Sequence, residues 1–110
     1  MSSALHEGMF TVVARDESAI TIELTDASHP VFQAHFEGNP LLPGYMQIDI
    51  VAALLGKEVD AISGAKYMKP VLPESRIIYT IKHKENKASI TVTNAEGEKV
   101  SVLKLQWHDL

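Results

Sequence analysis

The sequence predicts an α+β domain in which one antiparallel sheet of six strands wraps around a single long helix. One strongly apolar segment, residues 43–55, carries the start and stop signals of a helix. About six shorter segments, rich in β-branched residues, lie before and after it. Because short turns join the segments after the helix, their pairing should be antiparallel. One helix and one sheet bury most apolar surface when they pack face to face.

Residues 43–55 form the predicted central helix. Pro43 suits the first helical position because its missing N–H would have no partner there, and Gly56 suits the position just past the end. Between them the only polar side chains are Gln47 and Asp49. A helix without a polar stripe is typically buried on all sides, so we expect Asp49 to lie in a dry interior, where an unpaired carboxylate is costly.

The predicted strands follow from composition and from alternation of apolar and polar residues. In the second of them Ile20, Ile22 and Leu24 alternate with polar residues, which indicates a strand with one wet face. Pro70 and Pro73 end the third, since proline cannot donate to a sheet ladder. The six predicted strands cover residues 9–15, 19–25, 61–69, 75–83, 87–93 and 98–107.

The chain has 110 residues, no cysteine and a formal net charge of −4 at pH 7. Its length suits one domain over residues 1–110, small enough to gain stability from association with a second copy. Without cysteine, disulfides and thiolate metal sites are excluded, and the negative charge argues against nucleic-acid binding. No signal-peptide pattern and no apolar run of about 20 residues occurs, so we expect a cytoplasmic chain without membrane contact.

A loop dense in His, Pro and Gly runs directly into the helix. His35 in this loop titrates near neutrality, and Asp49 follows fourteen residues later. An imidazole and a carboxylate here indicate acid–base chemistry, although a lone buried carboxylate can also serve packing by pairing with a buried donor. His29 and His35 have no third ligand at metal-site spacing, so we expect no metal and no cofactor.

The loop and the helix together carry a resemblance to a known family. The residues His29-Pro30-Val31-Phe32, His35-Phe36, Pro40, Leu42-Pro43-Gly44 and Asp49 resemble the signature of the 3-hydroxyacyl-acyl carrier protein dehydratases. The spacing around Gln47 and the segment 66–73, KYMKPVLP, resemble the short dehydratases of aryl-polyene clusters. An Asp as the acid resembles the 3-hydroxydecanoyl branch, which also isomerises the double bond. The similarity spans nearly the whole chain, and its specific motif covers about residues 29–49.

Three positions depart from that family pattern. Ala34 precedes the histidine where Gly is usual, and Glu37 follows it by two where Pro is usual. Both changes fall in the loop that would receive the substrate. Ala53 stands four residues after the acid in place of Gln. The hydrogen bond that orients Asp49 must therefore come from another group.

The resemblance implies a hotdog fold and the dehydration of a 3-hydroxyacyl thioester to the trans-2-enoyl thioester, in fatty-acid or polyene-type biosynthesis. In that reaction His35 would be the base, and Asp49 would bind the hydroxyl or a water and act as the acid. The N–H of Gly44, at the start of the helix, would receive the developing enolate oxygen. Phe36 and Pro43 complete the predicted substrate-binding residues.

The implied partner is an acyl carrier protein that bears the acyl group on phosphopantetheine. Against a net charge of −4, an acidic carrier needs a local basic patch, for which Lys66, Lys69 and Arg76 are our candidates. The family pairs two chains about a twofold axis, with the histidine from one and the acid from the other. We therefore expect a homodimer or a higher oligomer.

Two other functions stay open from the sequence. A hotdog thioesterase would use the helix carboxylate to activate water against the same acyl thioester. A non-catalytic acyl-carrier-binding module would result if Ala34 and Glu37 stopped the loop from accepting substrate. The presence of both His35 and Asp49 favours an enzyme over such a module.

Overall fold

The computed structural model describes residues 10–25, 42 and 44–110. Within those residues, one helix and six strands confirm the predicted α+β architecture. No helix among them is long and apolar enough to cross a membrane. The elements are β1 (Phe10–Arg15), β2 (Ala19–Leu24), α1 (Gly44–Leu54), β3 (Lys57–Tyr67), β4 (Arg76–Lys84), β5 (Lys87–Asn94) and β6 (Lys99–Asp109).

The six strands form one antiparallel sheet in the order β1-β2-β4-β5-β6-β3. Although β3 follows α1 directly in the chain, it pairs with β6 at the far side of the sheet. Among the described strands, the two at the edges are β1 and β3. The inner face of the sheet and one side of α1 share a single apolar core, whose largest fully buried members are Trp107, Tyr79, Ile20, Ile22, Ile50, Ile77, Ile90, Leu103, Leu105 and Val51.

Asp16 closes the predicted hairpin between β1 and β2. Its Oδ1 accepts hydrogen bonds from the backbone N–H of Ser18 at 2.9 Å and of Ala19 at 2.8 Å, as in an Asx turn. These hydrogen bonds favour the ionised carboxylate and lower the pKa of Asp16 below its ordinary value. A short polar side chain thus fixes where β1 ends and β2 begins.

Within a single chain α1 is buried on one side only, so the dry surroundings expected for Asp49 are not found there. Tyr45, Asp49 and Ala53 are exposed, with 62% of Tyr45 accessible. Being four residues apart, they form one stripe along the helix. The sheet covers only the opposite side of the helix. Because Tyr and Ala are themselves apolar, the composition of the helix did not indicate that this stripe is open. The buried residues of α1 are Met46, Gln47, Ile48, Ile50, Val51 and Ala52.

Strand β3 begins at Lys57 and not at residue 61 as predicted. Gly56, with φ of 65°, turns the chain directly out of α1. Lys57 then forms an ion pair with Asp109 at the end of β6. Two bulges interrupt the register of β3 against β6, so its side chains do not alternate regularly. Because of that irregularity, the sequence pattern did not indicate residues 57–60 of the strand.

His108, near the end of β6, lies beside two carboxylates of β3. Its Nδ1 is 2.8 Å and 2.9 Å from the two carboxylate oxygens of Asp60, and its Nε2 is 3.6 Å from Oε2 of Glu58. The hydrogen bond to Asp60, followed by the charge of the same carboxylate, raises the pKa of His108 above its ordinary value of 6.5. The contact between β3 and β6 at this point is therefore stronger when His108 is protonated.

This dependence on protonation predicts that stability falls as pH rises above 6.5. Because the folded-state pKa of His108 is raised above 6.5, its stabilising contribution is complete below that pH and is lost as pH rises through the folded pKa. The pair is exposed, so the effect should be small and weaker in salt. Urea unfolding at several pH values should give a flatter dependence for His108→Gln. An identical pH dependence in the variant would contradict this assignment.

Candidate active site

The first turn of α1 is built around Gly44, the predicted oxyanion donor. A Cβ placed on Gly44 would lie 2.6 to 2.9 Å from three ring carbons of Tyr67, so any other residue here would require the Tyr67 ring to move. Just before it, the N–H of Leu42 donates to the carbonyl of Val71 at 2.8 Å and fixes where the chain enters the helix. The first N–H groups of a helix have no intrahelical partner and carry its positive dipole end, so this turn suits a developing negative charge.

Asp49 lies five residues after Gly44, on the exposed stripe of α1. Its carboxylate makes no hydrogen bond or ion pair with another described residue. The orienting group expected in place of a glutamine at position 53 is therefore not found within the described parts of the chain. On a single chain the carboxylate faces solvent between Tyr45 and Ala53. Any group that completes the site at Asp49 must approach from this open side.

Gln47 is a buried polar residue whose contacts the sequence analysis missed. It is only 2% exposed. The hydroxyl of Tyr79 donates to its backbone carbonyl at 2.9 Å, and the hydroxyl of Ser101 donates to its Oε1 at 2.5 Å. The available signal was a glutamine among apolar helix residues, since a buried amide requires hydrogen-bond partners. These bonds attach the start of α1 to β4 and β6.

The other predicted loop residues, His35, Phe36 and Pro43, lie outside the described residues. Their roles stay predictions. Within the part of the chain that the structure describes, no group of three or more His, Cys, Asp or Glu side chains could hold a metal ion.

The three predicted docking residues differ in how their charges are compensated. Nζ of Lys69 lies 3.5 Å from Oε2 of Glu98, and a guanidinium nitrogen of Arg76 lies 3.1 Å from Oε2 of Glu23. Lys66 forms no ion pair with a described acidic residue. Among the three, Lys66 therefore has the charge most available to an acidic partner.

A separate open cavity of about 360 Å³ lies on the outer face of the sheet. It is on the side opposite to α1, because Lys82 and Lys104 alternate along their strands with side chains that are buried in the core. Four lysines contribute to its lining, and none of them pairs with a described carboxylate. They are Lys82, Lys84, Lys87 and Lys104.

The sequence is similar to known dehydratases. Residues 12–104 match the model of a family described as ApeI-like, ApeI dehydratase. The 3-hydroxyacyl-[acyl-carrier-protein] dehydratase FabZ of Polynucleobacter necessarius is 36% identical, with 74% of this chain and 66% of that protein covered. The FabZ of Rhizobium rhizogenes is 31% identical, with coverages of 68% and 56%. The chain thus matches 66% or less of the length of these two relatives.

Solved structures with similar folds complete the comparison. A chain of the dehydratase heterocomplex ApeI:P from Xenorhabdus doucetiae superposes with a TM-score of 0.75 at 23% identity, covering 89% of this chain and 96% of that one. The PaaI protein of E. coli gives a TM-score of 0.64 at 12% identity, covering 96% and 88%. These likenesses confirm the predicted hotdog fold. With the family match over residues 12–104, they establish that the chain belongs to the ApeI-like dehydratase family.

Proposed function

We propose that the chain dehydrates 3-hydroxyacyl thioesters, held on acyl carrier protein, to trans-2-enoyl thioesters in fatty-acid or polyene-type biosynthesis. The observation that carries this proposal is the placement of Gly44 and Asp49 on the same helix, α1, of a dehydratase-family fold. The helix start at Gly44 offers unpaired N–H donors, and Asp49 presents a carboxylate on the open stripe. The relatives named FabZ are, by name, dehydratases of the same carrier-bound substrate class.

The reaction then proceeds by two proton transfers, one from the α-carbon and one to the β-hydroxyl, as the Cα–H and Cβ–O bonds break. His35 removes a proton from the α-carbon, and the electron pair moves toward the thioester oxygen, where the Gly44 N–H stabilises the charge. The enolate electron pair then moves back to form the double bond between the α- and β-carbons, and the Cβ–O bond breaks. The departing β-hydroxyl takes a proton from Asp49 and leaves as water. Proton transfer from His35 to Asp49 restores the starting state.

We infer that this site forms between two copies of the chain. Asp49 lies exposed beside Tyr45 and Ala53, and the edge strand β3 carries Ile62, which is 54% exposed. Pairing of two β3 edges would satisfy an open strand edge and extend the sheet. It would also bring an apolar surface against the open stripe of α1. The resulting species would be a cytoplasmic homodimer, or a larger assembly of such dimers.

The related ApeI is part of an assembly named a dehydratase heterocomplex. A different dehydratase chain is therefore the alternative partner for the β3 edge. Light scattering of the purified chain at micromolar concentration separates the two arrangements. A dimer of this chain alone supports the homodimer, whereas a monomer that dimerises only with a second dehydratase chain contradicts it.

The alternative reaction is hydrolysis of the same thioester, which the solvent exposure of Asp49 favours because water reaches the carboxylate directly. One assay distinguishes the reactions. Purified protein is incubated with 3-hydroxyacyl and trans-2-enoyl carrier thioesters of several chain lengths, while enoyl absorbance and free thiol are followed. A dehydratase changes enoyl absorbance without releasing thiol. Thiol release would indicate a thioesterase. The absence of both signals would indicate a non-catalytic binding module.

We propose that the carrier docks at the end of the sheet where α1 begins. Lys66 directly precedes Tyr67, whose ring contacts Gly44, so a carrier held there has a short path to the site. The four lysines around the outer cavity lie on the opposite face of the sheet from α1. The cavity residue Lys87 pairs with Gln106, five residues along β6 from Ser101, which is the partner of Tyr67. A carrier docked at the cavity would therefore lie farther along the strands from the start of α1.

This placement predicts that Lys66→Glu weakens turnover of the carrier-bound substrate by roughly three- to tenfold at low ionic strength and less in salt. A short pantetheine thioester should react at the normal rate, because the predicted catalytic groups are unchanged. Lys84→Glu, at the outer cavity, is the matched control. A larger effect of Lys84→Glu on the carrier-bound substrate would place docking at the outer cavity instead.

A further inference from the structure

Three strands hold the start of α1, and each uses a different contact. From β3, the ring of Tyr67 packs against Gly44. From β4, the hydroxyl of Tyr79 donates to the backbone carbonyl of Gln47 at 2.9 Å. From β6, the hydroxyl of Ser101 donates to Oε1 of the same Gln47 at 2.5 Å. One residue of the helix therefore receives a hydrogen bond from each of two strands, β4 and β6, which lie on either side of β5.

The position of Gln47 on the helix separates it from the substrate. Gln47 lies three residues after Gly44 and two before Asp49. Side chains two positions apart in an α-helix point in directions about 200° apart around the helix axis. Accordingly, Gln47 is buried while Asp49 is exposed. A substrate at Asp49 is out of reach of the Gln47 side chain. Any effect of Gln47 on the reaction must act through the placement of the helix.

The two hydrogen bonds allow the helix little freedom. The side chains of Tyr79 and Ser101 are fully buried, so a broken bond would leave a hydroxyl without water to replace it. Burial also raises the pKa of Tyr79, which keeps its phenol protonated as a donor. Rotating α1 or sliding it along its axis would strain both bonds at once. The bonds thus favour one rotation and one depth of the helix.

We propose that Gln47 is a positioning residue for dehydration: through Tyr79 and Ser101 it sets the rotation and depth at which Gly44 and Asp49 meet the substrate. The inference rests on the proposed dehydratase function. The hydrogen bonds on the buried side of α1 would then support catalysis as well as stability. Misplacement of reacting groups by about 1 Å can lower a rate by up to a hundredfold, so small shifts of this helix matter.

The test compares removal of one partner with removal of both. Ser101→Ala and Gln47→Leu each leave a buried polar group unpaired and should lower the melting temperature, whereas the double variant replaces both by apolar groups and should recover much of it. We expect kcat to fall about tenfold or more in all three variants, with KM within about twofold. A double variant that regains wild-type kcat together with its melting temperature would overturn the proposal.

If a change at Gln47 prevents folding, Tyr79→Phe provides a second test of the proposal. This variant retains the buried ring and removes only the hydrogen bond to the Gln47 carbonyl, so it should also lower kcat while KM stays near the wild-type value. Wild-type kcat in both Tyr79→Phe and Ser101→Ala would overturn the positioning role.

Ser63→Ala is the matched control. It removes a hydroxyl that donates to the carbonyl of Lys104 at 3.1 Å, elsewhere on the same sheet. We expect wild-type kcat in this variant, and a loss equal to that of Ser101→Ala would contradict a specific role for Gln47. An inactive wild-type chain would contradict the dehydratase proposal itself, whereas an active wild type with unaffected variants overturns only the positioning role.

Discussion

Replacing His35 by Ala or Asp49 by Asn should lower the rate of dehydration by roughly a hundredfold or more. His35 is the proposed base at the α-carbon and Asp49 the proposed acid at the β-hydroxyl. Since both act in one elimination, loss of either leaves the other without its counterpart, and the double variant should add little further loss. Initial rates of enoyl formation from a 3-hydroxyacyl carrier thioester measure the effect.

A matched control separates this role from general damage. Glu17→Gln removes an exposed carboxylate in the turn between β1 and β2, outside the predicted site, and should leave the rate unchanged. Near-normal turnover by Asp49→Asn in a folded protein would require a different general acid. If circular dichroism showed that a variant had lost its folded state, its lower rate would be due to unfolding and not to the loss of a catalytic group.

The second large effect is expected at the edge of the sheet. Ile62→Asp places a charge on an exposed apolar position of β3, where a second copy would bury it, and burial of an unpaired charge is strongly unfavourable. We expect the variant to be monomeric by light scattering at micromolar concentration. Its turnover should fall by roughly a hundredfold or more, because a site shared by two chains would be incomplete.

Val12→Asp provides the control on the other edge of the sheet. Val12 is 41% exposed on β1, similar in chemistry to Ile62 but at the opposite edge. It should leave both assembly and turnover unchanged. If Val12→Asp produced the monomer and Ile62→Asp did not, the two chains would meet at β1. A monomeric Ile62→Asp with normal turnover would show that one chain holds a whole site.

The sequence was sufficient for the parts of the fold that local signals determine. Pro43 and Gly56 marked the helix to within one residue at each end, as its observed range Gly44–Leu54 shows. Alternation identified β2, and its hairpin with β1 follows from Asp16. These features depend on neighbours in the chain, so composition and spacing reveal them.

The features that the sequence did not reveal depend on contacts between distant residues. The exposure of Asp49 follows from which side of α1 the sheet covers, and the role of Gln47 follows from two hydroxyls that lie 32 and 54 residues away. The ion pair of Arg76 with Glu23 likewise joins residues 53 positions apart. No local pattern encodes such partners, so the structure was needed to find them.

The most direct test of a dehydratase site shared by two chains is complementation between the two inactive variants. His35→Ala and Asp49→Asn chains are unfolded together in urea, refolded at equal amounts and assayed with a 3-hydroxyacyl carrier thioester. Half of the resulting dimers are mixed and hold one intact site of two, so activity should return to roughly a quarter of the wild-type value. Refolded mixtures that form dimers but remain as inactive as each variant alone would contradict a site built from both chains.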